Sequence, residues 1–275
     1  MRLLLVAHGS RDPRYAAAFD TLRRRLREQG HEAEVGHLGL CGPDVVEAAR
    51  LLGHAPGAEP IVAVPMFLNH GYHVAHDVPE AVAAARAALS PGPRIVVARP
   101  LGPDRLLIEA MESRLRELGV WPGDPDTAVI LASAGTSDAA ARGVLEALAG
   151  RWARTGWHSV SPAYAGAAAP DAARAVAAAR GAGARDVVIA SYFLAPGLLA
   201  DRVATGAPGV RMAAPFATPD QVDPALPRLV LRRAAEILNV LNKSSHSQSP
   251  QDPQSPHTRG GRPRPGIRSG SALRR

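Results

Sequence analysis

The sequence has a single cysteine, Cys41, among its 275 residues. One cysteine cannot form an internal disulfide, so the composition favours a reducing compartment. Long apolar runs are also missing. The apolar run before His8 is only a few residues long, and no other stretch is long enough to cross a membrane. We therefore expect a cytoplasmic protein that has no membrane partner.

Acidic residues are scarce at the end of the sequence. From Lys243 onward there are seven basic residues and one acid, Asp252. This segment therefore carries +6 of the formal net charge of +7, and residues 1–242 are nearly neutral. A nearly neutral body argues against nucleic acid as a partner of the folded part. Because residues 243–275 are rich in Ser, Pro, Gly, Gln and Arg, we predict that they form a disordered basic tail.

The first half of the chain alternates between strand and helix patterns, within a composition that is 46% hydrophobic. This content is ample for a buried core. The alternation predicts a small parallel sheet with helices on both faces and the strand order 2-1-3-4. The predicted strands are 2–7, 32–38, 61–66 and 94–98, and the predicted helices are 13–29, 43–52, 79–89 and 104–118.

The second half of the sequence repeats the first. Residues 4–10 align with 130–136, and residues 67–71 align with 193–197, both at an offset of 126. A repeat of this length that occurs only twice indicates two copies of one domain. We predict an α/β protein with two tandem lobes, residues 1–119 and 127–242, joined by a linker at 120–126. We expect the lobes to pack face to face with pseudo-two-fold symmetry.

Two histidines follow strands that should be neighbours in the first lobe. His8 ends the first strand, and His73 lies in the connection after the third. In a sheet of the predicted order, the connections after these strands open a crevice at their carboxyl ends. The equivalent residues of the second copy are Ala134 and Leu199. The scaffold is thus repeated while the imidazoles occur once, which indicates a functional pair.

Imidazole limits the chemistry that this pair can perform. Neutral histidine binds Fe, Co, Ni, Cu and Zn, and two such ligands leave coordination positions open for a substrate. The same groups can act as bases near neutral pH. His70 and His76 are weaker candidates, as auxiliary metal carriers. We interpret Asp77 as the acidic start of the next helix.

The motifs together resemble a known family. They are Ala7-His8-Gly9-Ser10-Arg11, the pattern Phe67-Leu68-x-x-Gly71-x-His73-x-x-x-Asp77-x-Pro79, and the tandem repeat. Over about residues 1–240 the chain is similar to the class II chelatases that act on sirohydrochlorin. The resemblance implies two flavodoxin-like lobes and insertion of Co²⁺ or Fe²⁺ into this tetrapyrrole, for cobalamin or sirohaem biosynthesis. It also implies that His8 and His73 hold the metal and assist deprotonation of the pyrroles. The metal is then a substrate, and no permanently bound cofactor is expected.

The resemblance also bears on the rest of the site. Family members often have an acid within the segment His37-Leu38-Gly39-Leu40, where this chain has none, so His37 is a possible substitute ligand. Sirohydrochlorin carries many carboxylates, which arginine forks bind well. We therefore expect Ser10, Arg11, Arg14 and, from the other lobe, Arg202 to contact the substrate.

Two other functions remain open at this point. A non-catalytic carrier of metal or tetrapyrrole would use the same ligands on the same fold. A histidine phosphatase also has His-Gly after its first strand, but it needs an arginine directly before that histidine, where this chain has Ala7.

Overall fold

Each half of the chain forms a four-stranded parallel sheet, in a computed structural model that describes residues 1–53, 59–166 and 168–246. The first sheet has the order β2-β1-β3-β4. Its strands are β1 (Arg2–Ala7), β2 (Glu32–His37), β3 (Ile61–Pro65) and β4 (Ile95–Val97). The helices of the first half are α1 (Pro13–Glu28), α2 (Val45–Gly53), α3 (Tyr72–Ala75), α4 (Asp77–Ala88) and α5 (Arg105–Arg116). The predicted strand order is confirmed.

The second sheet has the equivalent order, β6-β5-β7-β8. Its strands are β5 (Thr127–Ser133), β6 (Ser159–Tyr164), β7 (Asp186–Ser191) and β8 (Arg211–Met212). The helices are α6 (Ala139–Ala153), α7 (Ala172–Gly181), α8 (Leu198–Gly206) and α9 (Ala225–His246). The two sheets also share their register: Arg2 lies beside Glu32 and Ile61, and Ala128 lies beside Ser159 and Val187. Both the repeat and its alignment are therefore confirmed.

The alternation of side chains along each central strand creates three apolar layers. In β1, Leu3 and Leu5 face the middle of the molecule, while Leu4 and Val6 face α2 and α4. The outer face of the second sheet packs in the same way against α7 and α8. The middle layer is shared by both lobes and contains residues of α1, α5, α6 and α9. One continuous core therefore joins the two lobes.

The last helix of each half packs on the sheet of the other half. Helix α5 packs against β7, and α9 packs against β3 and α1. Each of these two helices also contributes a buried arginine that contacts the other half of the chain. From α9, Arg233 donates to the carbonyl oxygens of Pro100 (2.9 Å) and Leu101 (2.6 Å). From α5, Arg114 donates to the carbonyl oxygen of Phe216 (3.2 Å).

Because α5 and α9 pack on opposite halves, the predicted lobes are not independent units. Residues 1–119 and 127–242 each contain a whole sheet, but each covers that sheet partly with a helix of the other segment. Helix α9 continues to His246 and so includes the first four residues of the predicted tail, and the rest of that prediction lies outside the described residues. Within the described ranges, none of the helices is long and apolar enough to cross a membrane.

Candidate metal and substrate site

The His8 loop begins with a turn that requires glycine. Gly9 follows β1 with φ +94°, and a Cβ added there would lie 1.8 Å from the carbonyl oxygen of Gly39. Only glycine allows both this left-handed conformation and this close approach. The second lobe repeats the device at Gly135, where φ is +87° and the Gly166 oxygen lies 2.0 Å from the added atom. The backbone that presents His8 is therefore a property of the repeated scaffold.

His73 lies in α3, a single helical turn between β3 and α4. We had expected an irregular connection here, with the main helix starting near Pro79. Instead, α4 starts at Asp77, directly after the short turn. His73 and Asp77 are thus four residues apart across a break at His76, a spacing at which side chains of one helix face would meet.

The structure brings His8 and His73 together. Their ring centroids are 4.6 Å apart and the ring planes cross at 81°. Both side chains are exposed to solvent. The His8 Nδ1 atom lies 3.0 Å from the carbonyl oxygen of Gly9, and the His73 Nδ1 atom lies 2.5 Å from Oδ2 of Asp77.

These contacts determine which ring nitrogen can bind a metal. A carbonyl or carboxylate oxygen only accepts, so Nδ1 of each histidine must carry the proton and donate. In a neutral imidazole the Nε2 atom then keeps its lone pair. Metal-binding histidines are commonly held in this way by an oxygen on the other nitrogen. Both rings are therefore prepared to bind an ion through Nε2.

Asp77 is the site residue that sequence reasoning missed. We interpreted it as a helix cap, but α4 has no side-chain cap, and the carboxylate accepts from His73 instead. The spacing His-x-x-x-Asp could have revealed the pair, provided that the segment was recognised as helical. The equivalent of Asp77 in the second lobe is the buried Val203. The carboxylate is thus absent where the imidazole is absent.

The remaining histidines do not join the pair. His37 is buried, its Nδ1 donates to the carbonyl oxygen of Pro43 (3.2 Å), and its ring lies near those of Tyr15 and Phe19. Burial lowers its pKa and favours the neutral form. His76 stacks near Tyr72, with 4.5 Å between the ring centroids, and His70 is exposed.

The idea that His37 completes the metal site is wrong. Among the described residues, none of the groups of His, Cys, Asp and Glu has three members placed to hold a metal ion. The reason is that the His37 ring is enclosed between β2 and α1 rather than turned toward solvent like His8. The same finding leaves no three-ligand site around His70 and His76.

The predicted substrate-binding residues differ in how they are engaged. The Ser10 hydroxyl accepts from the Asp12 amide (3.1 Å). Arg14 forms ion pairs with Asp12 (2.6 Å) and Asp201 (2.5 Å). Arg202 donates to the carbonyl oxygen of Ala165 (3.3 Å). Arg11 is exposed and has no ion pair or hydrogen bond with any residue in the described ranges.

The second lobe contacts the segments that follow β1 and β3 in the first lobe. Two contacts connect it to the region of His8 and His73: the Arg14–Asp201 pair, and a hydrogen bond from the Tyr192 hydroxyl to the carbonyl oxygen of Leu68 (3.3 Å). Asp201 lies in the first turn of α8, which begins with the exposed Leu198 and Leu199. The start of α8 therefore carries two exposed apolar side chains and an acidic one.

A duplicated α/β fold with two adjacent, exposed histidines in its first lobe defines a class of protein with a site suited to a transition metal. The CbiX family model matches residues 2–118 and again residues 128–233. The chain therefore belongs to the CbiX family.

The relatives of the chain include enzymes for both cobalt and iron. It is 30% identical over 205 residues to the sirohydrochlorin cobaltochelatase of Priestia megaterium, an alignment that covers 73% of this chain and 66% of the relative, just under two thirds. It is 26% identical over 204 residues to the sirohydrochlorin ferrochelatase of the same organism, covering 73% and 76%. The solved structure of SirB from Bacillus subtilis with Fe³⁺ has the same fold. Its TM-score is 0.63 at 20% identity, covering 90% of this chain and 98% of that one.

Proposed function

We propose that this protein is a chelatase that inserts Co²⁺ or Fe²⁺ into sirohydrochlorin, with His8 and His73 holding the incoming ion. The observation that carries the proposal is the pair of adjacent imidazoles, each with Nδ1 engaged and Nε2 free. Family membership supports the reaction, because relatives of this chain carry that activity in their names.

The spacing of the two rings supports binding of a single ion. A metal–nitrogen bond of about 2.1 Å puts each ring centroid roughly 3.2 Å from the ion, so two imidazoles about 90° apart have centroids about 4.5 Å from each other. The separation between His8 and His73 is 4.6 Å. Two ligands in adjacent positions leave one side of the ion open, and the tetrapyrrole nitrogens would approach from there.

The same histidines can take up the protons that insertion releases. The macrocycle loses two pyrrole N–H protons as four nitrogens replace the ligands of the ion. When the ion moves into the ring, the Nε2 atoms of His8 and His73 are freed and can each accept a proton. Asp77 would stabilise the imidazolium of His73 through Nδ1–H, as carboxylates do for catalytic histidines.

Side chains of the two lobes suit the two kinds of surface on the substrate. Leu198 and Leu199, exposed at the start of α8, would offer apolar contact for a flat face of the macrocycle. Arg11, which is exposed and has no partner in the described ranges, is placed three residues after His8 to bind a peripheral carboxylate. The Ser10 hydroxyl keeps its proton available for a further hydrogen bond.

A turnover assay tests the proposal. We expect purified protein to convert many equivalents of sirohydrochlorin per chain, with Co²⁺ or Fe²⁺ under anaerobic conditions, above the rate of the protein-free mixture. A carrier would bind one equivalent and stop, and a phosphatase would hydrolyse phosphate esters instead. Conversion of only one equivalent of sirohydrochlorin per chain with each metal would contradict catalysis.

The number of metal sites tests the role of the first lobe separately. Because Ala134, Leu199 and Val203 replace the imidazoles and the carboxylate, we expect Co²⁺ titration to give one tight site per chain. Two equivalent sites would contradict the assignment to His8 and His73.

A further inference from the structure

An ion pair joins the two lobes close to the segment that follows His8. Arg14, two residues into α1, reaches Asp201 in the first turn of α8, with 2.5 Å between Nη2 and Oδ2. Arg14 also pairs with Asp12 at 2.6 Å through the same guanidinium. The two carboxylates raise the pKa of Arg14 above its already high usual value, so it remains charged throughout.

The internal repeat separates the needs of the fold from those of the site. The equivalent of Arg14 in the second lobe is Ala140, and the equivalent of Asp201 in the first lobe is Ala75. On the other side of the pseudo-two-fold axis, two alanines therefore occupy the places of the ion pair. The packing of the two lobes does not depend on such a pair, and the charges occur only on the side of His8.

The ion pair between Arg14 and Asp201 is half exposed to solvent, so little free energy is needed to break it. The side chains of Arg14 and Asp201 are 49% and 50% exposed. Ion pairs with this exposure contribute little to stability. Asp12, by contrast, caps α1 by accepting from the Arg14 amide and stays beside the guanidinium whatever Asp201 does. Arg14 would therefore keep its position if another carboxylate took the place of Asp201.

We propose that Arg14 exchanges Asp201 for a carboxylate of the incoming macrocycle, an inference that rests on the proposed function. Arg14 lies six residues after His8, in the first turn of α1, and Asp201 lies in the first turn of α8, close in sequence to the exposed Leu198 and Leu199. The exchange keeps Arg14 paired with a carboxylate, and the Asp201 carboxylate that it releases is half exposed and can be solvated. It also removes the ion pair that joins α1 to α8.

Binding of metal-free sirohydrochlorin tests the exchange without requiring turnover. In Asp201→Ala, Arg14 no longer has to be released, and we expect the Kd to fall about threefold, the scale of an exposed ion pair. In Arg14→Gln the carboxylate contact is lost, and we expect the Kd to rise roughly tenfold. In the double variant, we expect the same Kd as in Arg14→Gln alone, because removal of Asp201 helps only when Arg14 is present.

Two controls separate the exchange from simpler effects. Asp186→Ala removes a carboxylate from another exposed ion pair of the second lobe, with Arg211, and should leave the Kd unchanged. Melting temperatures should show that each variant is folded. Two results overturn the exchange while the wild type still inserts metal. One is a Kd that is unchanged or higher in Asp201→Ala, and the other is an equal fall in Kd when Asp201→Ala is made in the Arg14→Gln background. Failure of the wild type to bind sirohydrochlorin overturns the proposed function itself.

Discussion

The two lobes share one sheet topology, and the differences between them coincide with the residues that we propose to serve chemistry. Both lobes have the same strand order, equivalent register and a glycine turn after the first strand. Only the first has His8, His73 and Asp77, where the second has Ala134, Leu199 and Val203. The comparison shows that the sheet does not need these polar groups. They stand on turns that the scaffold supplies in either lobe.

The largest effect should come from giving the first lobe the side chains of the second. His8→Ala and His73→Leu each remove one of two protein ligands, and we expect each to lower the insertion rate at least ~100-fold. His70→Ala, outside the pair, should lose far less. Steady-state insertion of Co²⁺ and Fe²⁺ measures the change. Near wild-type rates in both variants would refute the mechanism, even if the fold is unchanged.

Asp77 should have a smaller effect because it acts through His73. Asp77→Asn removes the negative charge that fixes the Nδ1–H tautomer, and we expect metal affinity and insertion rate to fall about tenfold. Glu80→Gln removes a charge from the same turn of α4 and is the matched control. The absorption spectrum of bound Co²⁺ should change in Asp77→Asn, because the His73 ring is less firmly oriented. A spectrum and affinity identical to those of the wild type would leave Asp77 only a structural role.

The aspartates that precede α5 and α9 should differ in how much they contribute to the free energy of unfolding. Asp104 starts α5 and pairs with the fully buried Arg233 at 2.8 Å, whereas Asp223 starts α9 with one buried carboxylate oxygen that has no hydrogen-bond partner in the described ranges. Asp104→Asn should cost up to about 3 kcal/mol of unfolding free energy, because the buried Arg233 loses the nearer of its two carboxylate partners and keeps only Glu236, at 3.4 Å. Asp223→Asn should change it by less than about 1 kcal/mol. Urea denaturation measures both, and equal losses would contradict this explanation.

The difference in unfolding free energy between the wild type and Asp104→Asn should depend on pH. Burial opposes ionisation of Asp104, but hydrogen bonds from the Leu106 amide and from Arg232 and Arg233 outweigh it and hold the pKa below its usual value. Its contribution is therefore complete above the usual carboxyl pKa and is lost as the pH falls through the lowered one. The gap between wild type and Asp104→Asn should narrow in acid.

The smallest effect should follow removal of a segment that belongs to neither lobe. Residues 247–275 have a basic, polar composition that cannot form a core of its own. Ending the chain after His246 keeps α9 whole, and we expect the insertion rate and the melting temperature to stay as in the wild type. Ending it at Ala225, which removes α9, is the contrasting control and should abolish folding.

The sequence revealed those features that depend on short-range pattern. Periodicity predicted the strands of the first sheet, and the repeat predicted the second. The positions of His8 and His73 at strand ends predicted that they would meet, since neighbouring parallel strands end at one edge. Other features depend on contacts between distant segments. The exchange of α5 and α9 and the pairing of Arg14 with Asp201 leave no local signature, so an arginine near the site could not be recognised as already engaged.

The exchange of the last helices has a consequence for the order in which the protein can form during synthesis. The inner face of the first sheet is completed by α9, which lies more than half the chain length after β3. A ribosome therefore releases the first lobe long before the helix that covers it, although domains usually fold as they emerge. Contacts so distant along the chain also slow folding. The gene duplication thus yielded a single folding unit, in which neither copy reaches its final state before the last helix is made.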